Sequence, residues 1–254
     1  MRVATYASVT VASLLILIKM SAWFVTGSLS LLSSLVDSIL DAGASLVNLI
    51  AVRHALQPAD KEHRFGHGKA EALASLAQAA FIAGSGVFLL LESVDRFAKP
   101  QEISNSDTGI GVMVIAIIMT LLLVSFQTYV VKKTNSIAIS ADSLHYRADI
   151  LVNVAVIISL ILSAKLQWTM ADPIFAVLIV FYMSIGAYKI GGQAFDVLMD
   201  REFPDEDRKR IKDIAEGHEK VLNVHDMRTR SSGATSFIQF HAEMPKDISL
   251  SEAH

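Results

Sequence analysis

The chain has 254 residues, of which 52% are hydrophobic and 19% charged, with a mean hydropathy of +0.46. Soluble domains average about 25% charged residues, so the composition is that of a membrane protein and is far too apolar for a disordered one. A net charge of −3 argues against nucleic acid as the main partner, and the absence of cysteine excludes disulfides, thiolate metal sites and cysteine nucleophiles.

Ala7 to Thr26 is apolar apart from hydroxyls, Lys19 and Met20. At about 1.5 Å per residue it matches a hydrocarbon core of ~30 Å. It lacks a small-residue cleavage site followed by polar sequence, so it reads as a retained helix rather than a signal peptide. Gly27-Ser28 makes a short turn, and residues 29–55 form the second span, closed by Gln57-Pro58. Residues 69–93 form the third and 109–131 the fourth. The fifth is concealed. Its purely apolar run, Ile150 to Leu162, is too short to cross, so the helix must start near Ile137 and draw Asp142, His145, Arg147 and Asp149 toward the bilayer. This gives a span over about 138–164. The sixth, 172–197, opens on Asp172-Pro173, a helix-start pattern.

Lys and Arg in the loops set the orientation. Arg53, Lys61, Arg64 and Lys69 lie between spans two and three, and Lys132 and Lys133 follow span four. The opposite side has Arg96, Lys99 and Lys165. The first side is therefore expected to be cytoplasmic, with both termini inside. Residues 1–200 then form a six-helix transmembrane domain and 201–254 a cytoplasmic tail.

In the tail, Pro204 to Glu216 is rich in helix formers, with Asp205, Glu206 and Asp207 in a first turn that the helix dipole favours. Val221 to Arg230 and Ser236 to Met244 read as strands around a Ser232-Gly233-Ala234 turn. The second alternates, with Ile238, Phe240, Ala242 and Met244 on one face and Phe237, Gln239, His241 and Glu243 on the other. Ser249 and Glu252 stand at capping-box spacing, so a further helix starts there. A helix, two strands and the start of a helix make an incomplete α+β domain. It buries little by itself, so a partner chain is expected to support it. The fold class predicted is a mainly α membrane protein of six transmembrane helices followed by a small α+β domain.

Asp37 and Asp41 lie four apart on span two, and His145 and Asp149 four apart on span five. Each pair shares one helix face, one turn apart. Ionisable groups in hydrocarbon are functional candidates by default. Span two enters from outside, which sets Asp37 and Asp41 roughly 12 and 18 Å from that face; His145 and Asp149 lie roughly 10 and 17 Å from the inner one. Asp41 should thus face His145, and Asp37 should face Asp149. A divalent cation would stabilise three carboxylates and an imidazole there. Four N/O ligands suit tetrahedral Zn²⁺ and admit Fe²⁺, Mn²⁺, Co²⁺ and Cd²⁺. Asn48 and Asn153 extend the same polar faces, to orient ligands or line a water path. The alternative is that the acids pair with a buried cation such as Lys19, but one lysine cannot neutralise three acids. Lys19 itself reads as structural or snorkelling.

The loop 60-DKEHRFGHGK-69 spaces Asp60, His63 and His67 so that they could chelate one metal, or simply form a polar loop with exposed histidines. Its Gly66-His67-Gly68-Lys69 stretch lacks the spacing and preceding strand of a phosphate loop. In the tail, His225 and His241 sit on adjacent predicted strands, with His254 at the chain end. Two histidines across a hairpin can begin a zinc site, but further ligands are needed. His54 and His218 read as exposed.

Together 37-DSILD-41, 60-DKEHRFGHGKAE-71, 142-DSLHYRAD-149 and 200-DREFPDE-206 resemble the cation diffusion facilitators, over essentially the whole chain. The resemblance implies a homodimer of six-helix protomers in the bacterial inner membrane. It implies export of Zn²⁺, with Cd²⁺ and Fe²⁺ as further substrates, in exchange for H⁺ by alternating access. Helices one, two, four and five would rock against three and six. Asp37, Asp41, His145 and Asp149 would be the transport site, and Asp60, His63 and His67 a loop site. His225, His241 and His254 would be part of a cytoplasmic binuclear site in a ferredoxin-like, metallochaperone-like domain, with Zn²⁺ as its structural ion. The last ligands of that site lie beyond His254. Lys69 and Asp200 match a salt bridge that holds the cytoplasmic helix ends together at the dimer interface.

The rival classes are a divalent-cation channel, a membrane-anchored metal sensor and an intramembrane metalloenzyme. A channel must release its ion easily, unlike a complete four-ligand site. A sensor has no need of three acids in hydrocarbon. A metalloenzyme usually carries a motif such as H-E-x-x-H, which is missing here. An ATP-driven pump is disfavoured because no nucleotide-binding domain fits in the tail.

Overall fold

The computed structural model describes residues 1–27, 29–98, 107–166, 168 and 170–253. Six long helices come first: α1 (Arg2–Thr26), α2 (Leu29–Ala55), α3 (Lys69–Ala98), α4 (Asp107–Thr134), α5 (Ile137–Leu166) and α6 (Ala171–Leu198). Among the described residues, five of them, α1, α2, α3, α4 and α6, hold a stretch long and apolar enough to cross a membrane. The 30-residue α5 is as long as any, and it carries five charged or imidazole side chains, Asp142, His145, Arg147, Asp149 and Lys165. The charged turn belongs to the same unbroken helix as the apolar run. Several helices extend past their apolar cores. For α1 the cause is packing: Ala4, in its first turn, clusters with Val130 of α4 and Ile139 of α5.

The helices pair as α3 with α6 and α1 with α2, while α5 packs on α4 and α6. The main core lies between α3, α5 and α6. It joins Ala79 and Ile82 to Ala141, Leu144 and Ala148, and these to Ile179, Met183, Ala187 and Ile190. Gly186 is where α6 admits α5: a Cβ there would stand 2.5 Å from a methyl of Leu144. On α5, Ala141, Leu144 and Ala148 form one stripe at helical spacing. Asp142, His145 and Asp149 form the next, displaced by one residue, or about 100°. Burying the first stripe against α3 and α6 therefore aims the second toward α1 and α2.

The tail contains α7 (Asp205–Glu216), β1 (Asn223–Ser232), β2 (Thr235–Glu243) and α8 (Leu250–Ala253). The strands pair antiparallel through a two-residue turn at Gly233-Ala234, with Ser232 opposite Thr235. β1 begins two residues later than Val221, yet Leu222 N–H still donates to the Glu243 carbonyl at 2.8 Å. Ser249 Oγ accepts the Glu252 N–H at 3.2 Å, half of the capping box read from spacing. The face carrying Ile238 and Phe240 is open, with both side chains exposed.

The loop between α2 and α3 docks on this tail. Phe65 sits under the Arg230 guanidinium at 4.2 Å and meets the Phe237 ring edge-on at 5.4 Å. Gly68 lies so close to the hairpin turn that a Cβ would fall 2.1 Å from the Ser232 carbonyl oxygen. Lys69 Nζ lies 2.9 Å from Asp200 Oδ1 and donates to the Leu198 carbonyl, and Arg230 approaches the other Asp200 oxygen at 3.5 Å.

Candidate metal centres

Asp41, His145 and Asp149 present donor atoms that all lie within 4.8 Å of one another. His145 Nε2 stands 2.9 Å from Asp41 Oδ1 and 3.7 Å from Asp149 Oδ2. Ligands of a tetrahedral ion with bonds of ~2.1 Å stand roughly 3.4 Å apart, so this triplet needs only small side-chain adjustment to hold one. The His145 ring packs against Phe81 and Tyr146, and its Nδ1 is buried without a hydrogen-bond partner.

Asp37 is not among these three. Depth along the helix places it level with Asp149, but its carboxylate stands outside the 4.8 Å set and lines the adjoining cavity. That cavity, of about 160 Å³, is bordered by Lys19, Asp37, Asp41, Asp149 and Asn153. Lys19 does not snorkel: its Nζ donates to Ser38 Oγ at 2.6 Å and to the Ser34 carbonyl at 3.1 Å, which keeps its charge beside the acids. Asn153 donates to the Asp149 backbone carbonyl at 2.7 Å. Asn48 lies apart from the acids, donating to the Ala138 carbonyl at 3.3 Å. Seven residues from Asp41 is about 10 Å along a helix, so Asn48 reaches the start of α5 instead of the ligands.

Sequence spacing left Asp142 without a role, and its carboxylate accepts from four side chains. Ser8 Oγ (2.6 Å) and Gln127 Nε2 (2.7 Å) donate to one oxygen, and Gln78 Nε2 (3.3 Å) and Ser45 Oγ (3.4 Å) to the other. These donors come from α1, α4, α3 and α2. The network ties α5 to four other helices one turn below His145, although Gln127 Oε1 within it is buried with no hydrogen-bond partner. The scattered Ser and Gln partners are individually unremarkable in the sequence, which is why the hub was not visible there.

In the α2–α3 loop, Asp60, His63 and His67 also bring donor atoms within 4.8 Å of one another. Asp60 Oδ1 accepts the backbone N–H groups of Glu62 (2.9 Å) and His63 (2.6 Å). The His63 backbone bond is the largest influence holding its carboxyl below the usual range. Its oxygens face His63 Nδ1 at 3.3 Å and His67 Nε2 at 3.4 Å. The two-nitrogen, one-oxygen set at these separations fits a zinc-type ion. His54, at the end of α2, meets the His67 ring edge-on with centroids 4.6 Å apart.

In the tail, His225 and His241 are direct partners across the hairpin, with ring centroids 5.4 Å apart, and Glu243 approaches His225 Nδ1 at 3.5 Å. His254 lies outside the described residues, as do Ser28 and Lys99. Asp200, which meets Lys69 and Arg230, has its carboxyl held below the usual range, chiefly by the Lys69 hydrogen bond.

A bundle of long apolar helices with a buried His–Asp cluster, joined to a small α+β tail, is the architecture of a metal-cation transporter. Residues 5–199 match the cation efflux transmembrane domain, and residues 203–254 match the cytoplasmic domain of cation efflux proteins, a dimerising module. The chain belongs to the cation diffusion facilitator family, a family of cation efflux transporters and not of enzymes. It is 49% identical over 251 residues to the cation-efflux pump FieF of Salmonella choleraesuis strain SC-B67, covering 99% of this chain and 83% of that one. The FieF pumps of Salmonella newport strain SL254 and Salmonella heidelberg strain SL476 match to the same extent. The tail's match implies that the chain acts as a homodimer.

Proposed function

We propose that the chain exports Zn²⁺ from the cytoplasm in exchange for H⁺, with Cd²⁺ and Fe²⁺ as further substrates. The observation that carries this reading is the Asp41–His145–Asp149 cluster between α2 and α5. One imidazole and carboxylates suit a borderline divalent ion, whereas Mg²⁺ and Ca²⁺ favour all-oxygen shells with more ligands. Asp37, one turn from Asp41 and lining the same cavity, supplies the fourth ligand when its side chain swings inward.

Exchange follows from ligand chemistry. Carboxylates and imidazole bind metal only when deprotonated, so metal loading releases protons and protonation releases metal. Opened to the cytoplasm, the site sheds protons and takes the ion. Opened outward to higher proton activity, it exchanges the ion for protons. Lys19 in the cavity wall discourages monovalent cations from resting there. The preponderance of Lys and Arg on the side of the α2–α3 loop puts both termini in the cytoplasm of a bacterial inner-membrane protein.

Asp60, His63 and His67 form a second metal site in the cytoplasmic loop. His225, His241 and His254 begin a third in the tail. Zn²⁺ at these positions plays a structural part. Lys69 and Asp200 tie the loop to the tail near the dimer axis.

The test is Zn²⁺ uptake into inside-out proteoliposomes with an imposed pH gradient. Flux should follow the gradient and reverse with it. Flux that ignores the gradient and fails to saturate would instead identify a channel.

A further inference from the structure

Three imidazoles converge at the cytoplasmic end of α2. His54 and His67 lie with ring centroids 4.6 Å apart, and His63 and His67 with centroids 4.5 Å apart. All three line one cavity of about 360 Å³, together with Phe65 and Lys69. His67 is the hinge of the group. Its side chain is 5% exposed, its Nε2 faces Asp60, and its Nδ1 is buried with no hydrogen-bond partner. With Nε2 turned to Asp60 and free to bind a metal, Nδ1 points away from it; a buried nitrogen without a partner costs about 1–3 kcal/mol, so it is the outer side of the ring that lacks an acceptor.

The Asp60–His63–His67 set supplies three donors. Structural zinc sites are almost always closed by four protein ligands, while three ligands leave a position for exchangeable water. His54 stands on the last turn of α2, exposed and against the His67 ring, with its nitrogens outside the 4.8 Å set. Its ring already stands against that of His67, and its two side-chain torsions are free to turn because the side chain is exposed.

We infer that His54 is the fourth ligand of the loop site, closing it as a three-nitrogen, one-oxygen centre that retains Zn²⁺. The inference rests on the proposal that Asp60, His63 and His67 hold a metal. A closed centre would fasten the end of α2 to the loop that carries Phe65 and Gly68 onto the tail hairpin. The loop ion would then be a clasp between α2, α3 and the tail, and not a stage on the route of transported metal. His54 and Asp60 are separated only by Ala55, the last residue of α2, and four residues of turn and coil, so the site costs little loop-closure entropy to assemble.

The chain's lack of cysteine gives a direct test. The background variant replaces Asp41, Asp149, His225 and His241 with alanine, leaving the loop as the strong site, and the full chain is placed in nanodiscs. His54→Cys is added and Co²⁺ is titrated. A cobalt–thiolate absorption that grows with loop occupancy and disappears on His67→Ala is the expected result. In parallel, His54→Ala should weaken Zn²⁺ binding in the same background by at least about tenfold, the loss seen when even an outer partner of a ligand is removed. Co²⁺ binding that requires His67 but gives no thiolate absorption, with unchanged Zn²⁺ affinity in His54→Ala, would leave a three-ligand loop site and overturn the inference. No binding in the parent background would overturn the loop site itself, and His54's role with it.

Discussion

The bundle and the α2–α3 loop each assemble an Asp–His cluster whose donors fall within 4.8 Å, yet the settings differ. In the bundle the His145 side chain is 6% exposed, and the cluster joins Asp149 on its own helix to Asp41 of α2, more than a hundred residues earlier. In the loop Asp60 and His63 are both about half exposed, and every member of the triplet lies within eight residues. Charge in a low-dielectric setting is costly to leave unpaired, so on the proposed reading an ion or its replacement protons neutralise the acids that Lys19 does not. Water stabilises the loop carboxylate whether or not metal is bound. The first arrangement suits exchange, and the second suits retention.

Removing a bundle ligand should have the largest effect. Asp41→Ala or Asp149→Ala should reduce gradient-driven Zn²⁺ flux by at least about 100-fold, beyond the 10–100-fold typical of outer-shell partners. Loop variants such as His67→Ala should lose the loop-bound ion while retaining measurable flux. Equal losses from both would erase the distinction. His145→Asp should keep Zn²⁺ transport, since four oxygens still bind it, but should alter the pH dependence of flux because a carboxyl group replaces the imidazole. An unchanged pH profile would remove His145 from the proton role.

Asp142 sharpens the contrast from another side. Asp142→Ala removes the acceptor for four donors and should cost about 3 kcal/mol or more of bundle stability, as breaking a buried polar network does. Thermal melting in detergent checks this. Gly68→Ala forces a methyl onto the Ser232 carbonyl and should loosen the loop from the hairpin at a cost of about 1–3 kcal/mol. Protease sensitivity of the tail reports it, with flux falling less than for any bundle variant.

The smallest effect concerns pH at the Lys69–Asp200 bridge. The Asp200 carboxyl is held below its ordinary value by Lys69. Its contribution to tail docking is therefore fully present above the ordinary carboxylate pKa and fades as pH falls through the depressed one. Tail release near neutral pH in the wild type would contradict this, and Asp200→Asn should remove the acid-range dependence.

How far these sites were legible from sequence follows from how far each depends on one helix. The i,i+4 spacing of Asp37–Asp41 and His145–Asp149 established which faces were polar, and burial of the Ala141–Leu144–Ala148 stripe turned α5 accordingly. The meeting of Asp41 with His145 followed from antiparallel depth alone. Asp37 escaped that arithmetic because depth fixes height and not the angle about the helix axis, and its side chain points into the cavity beside Lys19. Asn48 failed similarly, since it bonds the start of α5. His54 was read as a lone exposed residue because only the return of the loop brings His67 against it. In the tail, alternation along β2 showed the apolar face, but no single chain could reveal what covers Ile238 and Phe240.

The central claim is that α2 and α5 grip one divalent ion between Asp41, His145 and Asp149, with Asp37 completing the shell. X-ray absorption at the zinc edge tests it most directly, on protein in nanodiscs whose loop and tail histidines have been replaced. The account predicts a bound ion with about four nitrogen and oxygen ligands near 2.0–2.1 Å, an imidazole among them, and loss of that signal in Asp149→Ala. A hydrated, all-oxygen zinc spectrum, or an imidazole-bound ion that persists without Asp149, would contradict it.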